Sequence, residues 1–140
     1  MIKRARHVRG ILDTSTVIVL SRIGKPELLP EEPLITAITL AELTVGPLVA
    51  TTGDERAARQ AHLQQAEADF EPIPFDASAA RAFGQVAASL RRSGKKTTAR
   101  SYDAMIAATA IANELPLYTC NPGDFKGIVG LLVVSVPMPE

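Results

Sequence analysis

Four acidic residues stand where this chain leaves its apolar runs. Asp13 closes VRGILD, Glu42 lies within TLAELTVG, Asp103 stands near the start of SYDAMIAATAIA, and Asp124 sits in NPGDF, three residues after the amide of Asn121. Carboxylates gathered in one place repel one another, so some must take up protons or bind cations. An all-oxygen donor set suits hard divalent ions, Mg²⁺ or Mn²⁺, rather than zinc. Taken one at a time, Asp13, Asp103 and Asp124 each have a plainer explanation as helix caps or as charges favoured by a helix N-terminus. Glu42 does not, because Leu40, Ala41, Leu43 and Val45 flank it, and an acid in such a segment seldom stays buried without a partner. His7 and His62 lack ligand spacing and read as surface residues. Cys120 has no second thiol and reads as a core residue at a strand end.

The elements that must position these groups follow from periodicity. VRGILD (8–13) is a short branched run, predicted as a buried strand, and TSTVIVLSRIG is a helix capped by Thr14 or Ser15 and stopped at Gly24. LITAI (34–38) is a second strand, and TLAELTVGPLVA a helix that Gly46-Pro47 interrupts or ends. DERAARQAHLQQAEADF (54–70) is an amphipathic helix, and EPIPF (71–75) an edge-like strand weakened by two prolines. Asp76 caps ASAARAFGQVAASLRR, which ends near Gly94, and the next helix covers 101–114. LPLYTC (115–120) is a strand, NPGDF a turn, and GLLVVSV (130–136) a last strand. Strands that alternate with helices, and that are apolar throughout, predict an α/β fold with a mostly parallel central sheet flanked by helices on both faces. Ligands in such sheets bind beyond the carboxyl ends of the strands. Each strand exit except that of 71–75 carries an acid or amide.

A length of 140 residues fits one compact domain, and 46% apolar with 21% charged residues fits a globular protein. Fifteen basic side chains balance fifteen acidic ones, which does not suggest a general nucleic-acid binder and leaves any such role to local patches. A single cysteine excludes an internal disulfide framework and points to a reducing, cytoplasmic setting. No apolar run reaches the roughly 20 residues that span a bilayer, and Asp13 interrupts the stretch behind the basic opening too soon for a signal peptide. Lys3, Arg4, Arg6 and Arg9 read as solvated, with residues 1–7 a basic tail ahead of a domain at 8–140.

ILDTSTVI, ITLAELTVG and SYDAMIAATAIANELPLYTCNPGDF resemble, in that order, the successive signatures of PIN-domain ribonucleases, and within them the VapC toxins of bacterial toxin–antitoxin pairs. The likeness runs from Val8 to Val136 and is most diagnostic over 101–125. It implies a PIN-like fold and a metal-dependent endoribonuclease with Mg²⁺ or Mn²⁺ held by Asp13, Glu42, Asp103 and Asp124. Asn121, where some relatives have aspartate, remains a second candidate ligand, and the hydroxyls of Ser15 or Thr119 would orient metal or water. The resemblance further implies an RNA substrate, a cognate VapB-like antitoxin that covers the acidic pocket, and a homodimer within a hetero-oligomer.

RNA approach to an acidic pocket needs positive surface nearby. Arg91, Arg92, Lys95, Lys96 and Arg100 lie in RRSGKKTTAR, directly ahead of Asp103. Such a run is otherwise a solvated loop. Two other classes share parts of the pattern. In a haloacid dehalogenase-like phosphoryl-transfer enzyme Asp13 would be the nucleophile, but that family places a second aspartate where this chain has Ser15. In a non-catalytic α/β binding module the acids would only cap helices, which leaves Glu42 unexplained.

Overall fold

Strand β1 (Arg9–Leu12) lies inside a four-stranded sheet, with β2 (Glu32–Leu34) on one side and β3 (Leu117–Thr119) on the other; β4 (Val133–Ser135) pairs beyond β3. All three pairings are parallel, with Ile11 opposite both Leu34 and Leu117, and Leu117 opposite Val133. The computed structural model describes residues 7–96 and 100–140. Lys3, Arg4 and Arg6 of the expected basic tail, and residues 97–99 of the loop before Asp103, lie outside the described residues.

Helices cover both faces, as parallel connections require. On one face α4 (Ala77–Arg92) and α5 (Ser101–Ala112) pack over Ile11 and Leu117, with Val86, Leu90 and Ile106 in the shared core. On the other face Leu12, Tyr118, Val134 and Val136 meet the short α1 (Thr14–Ile18) and the segment after it. Helices α2 (Ala37–Leu48) and α3 (Gly53–Asp69) close a smaller cluster around Ile35, Leu43 and Ala66. The inner surface of α5 is built from Ala104, Ala107, Ala108 and Ala110, all fully buried, so its backbone lies close to its neighbours. Gly10 serves a similar end in β1, since a Cβ there would stand 2.6 Å from the Tyr118 ring.

Several element ends differ from the sequence expectation, each for a local reason. The strand expected at 34–38 ends at Leu34, because the Thr36 hydroxyl accepts the Thr39 N–H at 3.2 Å and starts α2 early. EPIPF reduces to one parallel bridge, Ile73 with Thr36, since Pro72 and Pro74 have no N–H to extend the ladder. Helix α2 runs through Gly46-Pro47 to Leu48, so the proline falls in its last turn rather than ending it. The helix expected at 14–24 is α1 followed by a 3-10 turn at Leu20–Arg22. Helix α5 stops at Ala112, with Glu114 beyond it in the left-handed region (φ 54°). The strands expected at 115–120 and 130–136 shorten to Leu117–Thr119 and Val133–Ser135. His7 packs edge-on against Tyr118 and its carbonyl accepts the Glu31 N–H, so it belongs with the domain rather than a free tail. Arg9 lies in β1 and pairs loosely with Glu32 at 3.9 Å.

Candidate functional site

The chain leaves β1 toward β2 on one side, and β3 lies on the other, so the crossovers diverge at the carboxyl ends of β1 and β3. That divergence opens the crevice in which doubly wound sheets hold ligands. Asp13 is the first residue past β1, and its N–H donates to the Tyr118 carbonyl at 3.1 Å, continuing the ladder by one step. Its side chain is 4% exposed. Oδ1 accepts the Thr16 N–H (3.1 Å) and the Thr16 hydroxyl (2.6 Å), and Oδ2 accepts the Thr119 hydroxyl (2.7 Å). The Ser15 hydroxyl lies 3.0 Å from both oxygens. Asp13 therefore caps α1, as the plainer reading held, and is also pinned across the crevice to β3. Ser15 and Thr119, expected as hydroxyls that orient metal or water, both contact the Asp13 carboxylate.

Glu42 projects from α2 toward the same end of the sheet. The Thr14 hydroxyl donates to its Oε1 at 2.7 Å, and Thr14 and Thr39 hydroxyls lie 3.0 Å apart. Partial burial raises the Glu42 carboxyl above its ordinary range; the Thr14 hydrogen bond opposes this, and the Asp13 charge adds to it. Asp103 sits in the first turn of α5, whose N-cap is Arg100, so its side chain is not the cap. Burial, then the charges of Asp124, Glu42 and Asp13, push its carboxyl from 3.8 up to about 6, against a lowering by Arg100. Four carboxylates from four separate segments thus share one electrostatic field.

Asp124 lies in the 3-10 turn Pro122–Phe125, where Asn121 is the N-cap residue. The Arg100 guanidinium donates to Asp124 Oδ1 at 3.1 Å and reaches its carbonyl at 3.5 Å. Asn121 is exposed; its N–H donates to the Thr119 hydroxyl at 2.9 Å, which ties the turn to the group holding Asp13. Lys95 donates from Nζ to the carbonyls of Gly123 and Lys126, both at 3.0 Å. Two of the five cations expected to meet RNA are therefore engaged with the Asp124 turn, while Arg91, Arg92 and Lys96 are exposed. Among the described residues no three His, Cys, Asp or Glu side chains close into a ready-made metal cage. Asp13, Glu42 and Asp124 each keep a separate hydroxyl or guanidinium partner instead.

Sequence reasoning missed Thr16 as a donor to Asp13, Thr14 as the donor to Glu42, and Thr39 as the hydroxyl beside Thr14. For Thr16 the signal was present in the run Thr14-Ser15-Thr16 directly after a strand, where a hydroxyl at a helix start can face back to the preceding acid. Cys120 is half-buried rather than fully in the core, with its N–H donating to the Thr16 hydroxyl at 3.1 Å.

Comparison with known proteins agrees with this architecture. Residues 10–129 match the PIN domain family. Ribonuclease VapC5 from Mycobacterium tuberculosis is 38% identical over 130 residues, covering 91% of this chain and 93% of its own length. Ribonuclease VapC from Rickettsia bellii is 30% identical over 134 residues, covering 93% and 98%. The crystal structure of VapBC-5, a member of the VapBC family of toxin–antitoxin systems from M. tuberculosis, superposes with a TM-score of 0.78 at 36% identity, covering 92% of this chain and 99% of that one. VapBC2 from Rickettsia felis, bound to a DNA fragment from their promoter, gives a TM-score of 0.67 at 27% identity, covering 89% and 96%.

Proposed function

The chain belongs to the PIN-domain family, and from that membership we propose that it is a VapC-type toxin, an endoribonuclease restrained by a VapB-like antitoxin. The observation that carries the reading for this chain is the convergence of Asp13, Glu42, Asp103 and Asp124 at one sheet edge, where burial and then the charges of the other three lift the Asp103 carboxyl to about 6. Carboxylates that destabilise one another, at a sheet's carboxyl edge, are an arrangement that folding alone does not favour.

The donors are all oxygen, which fits Mg²⁺ or Mn²⁺. Asp13, Glu42, Asp103 and Asp124 would hold the ion, with Asn121 as an alternative ligand in the last turn. When bound, it supplies an activated water and offsets charge on the phosphoryl oxygens. The chain's own residues do the rest. Ser15, Thr16 and Thr119 fix both oxygens of Asp13, and Thr14 fixes Oε1 of Glu42. The Asp103 carboxyl, raised to about 6, can exchange a proton near neutral pH. Exposed Arg91, Arg92 and Lys96 offer positive surface for the RNA backbone just ahead of α5, with Lys95 and Arg100 behind them holding the turn.

The antitoxin and homodimer readings are supported by apolar side chains left in solvent on α1, α2 and the residue following α2: Ile18, Val45, Val49 and above all Leu48, which is 83% exposed. Action on RNA would place the protein in the cytoplasm. No helix among the described residues is long and apolar enough to cross a membrane. The phosphoryl-transfer alternative is disfavoured by Ser15, which stands where that chemistry places a second aspartate.

Metal-dependent cleavage of RNA by the wild type, Asp13→Asn and Asp103→Asn tests the assignment. Cleavage by the wild type alone, relieved by chelation and by the antitoxin, is expected. Persistence in both variants refutes the nuclease reading, and covalent phosphate on Asp13 would establish the rival one.

A further inference from the structure

Arg100 differs in placement from the other cations of its segment. Its guanidinium is only one-third exposed and is directed at the Asp124 carboxylate, 3.1 Å from Oδ1, rather than at solvent. The turn that carries Asp124 has other holds besides this contact. Lys95 already clamps the turn's carbonyls at Gly123 and Lys126, and Phe125 anchors it in the core, 1% exposed. The guanidinium also reaches the Asp124 carbonyl at 3.5 Å, but its shorter contact, at 3.1 Å, is with the carboxylate. Its positive charge also offsets, at Asp103, part of what Asp124, Glu42 and Asp13 add. No other basic residue is ion-paired with any of the four acids among the described residues.

We propose that Arg100 is a resident counter-cation which a divalent ion must displace from Asp124, so that it sets the metal concentration at which the acidic site loads. This rests on the reading of the four acids as a metal site. Arg100 acts through Asp124 and is a positioning residue: it holds the fourth carboxylate in a paired state and weakens the field that draws in a cation. An RNA phosphate that drew the guanidinium away would release Asp124, which couples substrate arrival to metal loading.

The test is Mn²⁺ binding without RNA, followed by calorimetry or by loss of the free-ion resonance signal at pH 7.5. Wild type is compared with Arg100→Gln, Arg100→Lys and Arg81→Gln, the last an equal charge change on an exposed helix position. Removing a charge beside a divalent site should tighten Mn²⁺ binding on the order of ten-fold in Arg100→Gln. Arg100→Lys, which keeps the charge, and Arg81→Gln should stay within about three-fold of wild type. Equal or weaker binding by Arg100→Gln overturns the proposal, as does an equal gain in Arg81→Gln, which would make the effect one of net charge. Absence of Mn²⁺ binding in the wild type and every variant overturns the metal reading beneath it, a result distinct from wild-type binding that Arg100 does not influence.

Discussion

Replacing Asp103 by asparagine should make the protein more stable while abolishing its activity. The carboxyl is raised from 3.8 to about 6 in the folded chain, so the folded state holds its proton more tightly than the unfolded state does. Stability from this group is greatest when it is protonated, and falls as pH rises between about 4 and 6. Above pH 7 the full displacement corresponds to at most ~3 kcal/mol of destabilisation. Asp103 is only partly buried, and solvent screening reduces that to about 1–2 kcal/mol. Asparagine carries no charge at any pH and nearly the same shape, and the side chain does not cap α5. At pH 7.5 with chelator present, Asp103→Asn should therefore melt about 3–6 °C higher than the wild type. At pH 4 the two should agree within about 1–2 °C. Circular-dichroism melts at the two pH values, with RNA cleavage on the same preparations, read the whole prediction. A variant less stable than wild type at pH 7.5, or a gain equal at both pH values, would refute the electrostatic argument.

Other perturbations probe the supports of the site. Asp13→Ala leaves the Thr16 and Thr119 hydroxyls and the Thr16 N–H without their acceptor, and should cost about 2–4 kcal/mol in urea unfolding together with all cleavage. Thr14→Val removes the donor to Glu42 with little change of shape; cleavage should fall about ten-fold while the urea midpoint moves by less than the equivalent of about 1 kcal/mol. Ala107→Leu forces a large side chain into a fully buried position of α5 and should destabilise by about 3 kcal/mol or more, seen as a melting temperature lowered at every pH. Leu48→Glu should leave the melt unchanged and weaken antitoxin capture in a pull-down, because that side chain stands in solvent.

The sequence carried those parts of the architecture that rest on long local patterns. The apolar run ending at Asp13 and the helix around Asp103 were readable as patterned stretches bounded by turn residues, and the parallel character of the sheet from the alternation of apolar strands with helices. Boundaries near Thr36 and Ile73 were not. A single hydroxyl cap and two prolines decided them, against an apolar pattern that favoured longer strands. The four acids could be listed from their types and positions, yet their partners could not. The contact between Thr119 and Asp13 spans 106 residues, and that between Arg100 and Asp124 depends on how a loop meets a turn from another part of the chain. Lys95 shows the same limit, since a lysine in a basic run gives no sign that two carbonyls have claimed its ammonium.

The dispersal of the acids also bears on how such a protein is made. Asp13 emerges early from a ribosome, whereas Thr119, which pins it, and Asp124, which completes the cluster, emerge more than a hundred residues later. β3, wedged between β1 and β4, has to dock before the first acid acquires its final orientation. A nascent or truncated chain therefore carries the individual carboxylates without the assembled centre.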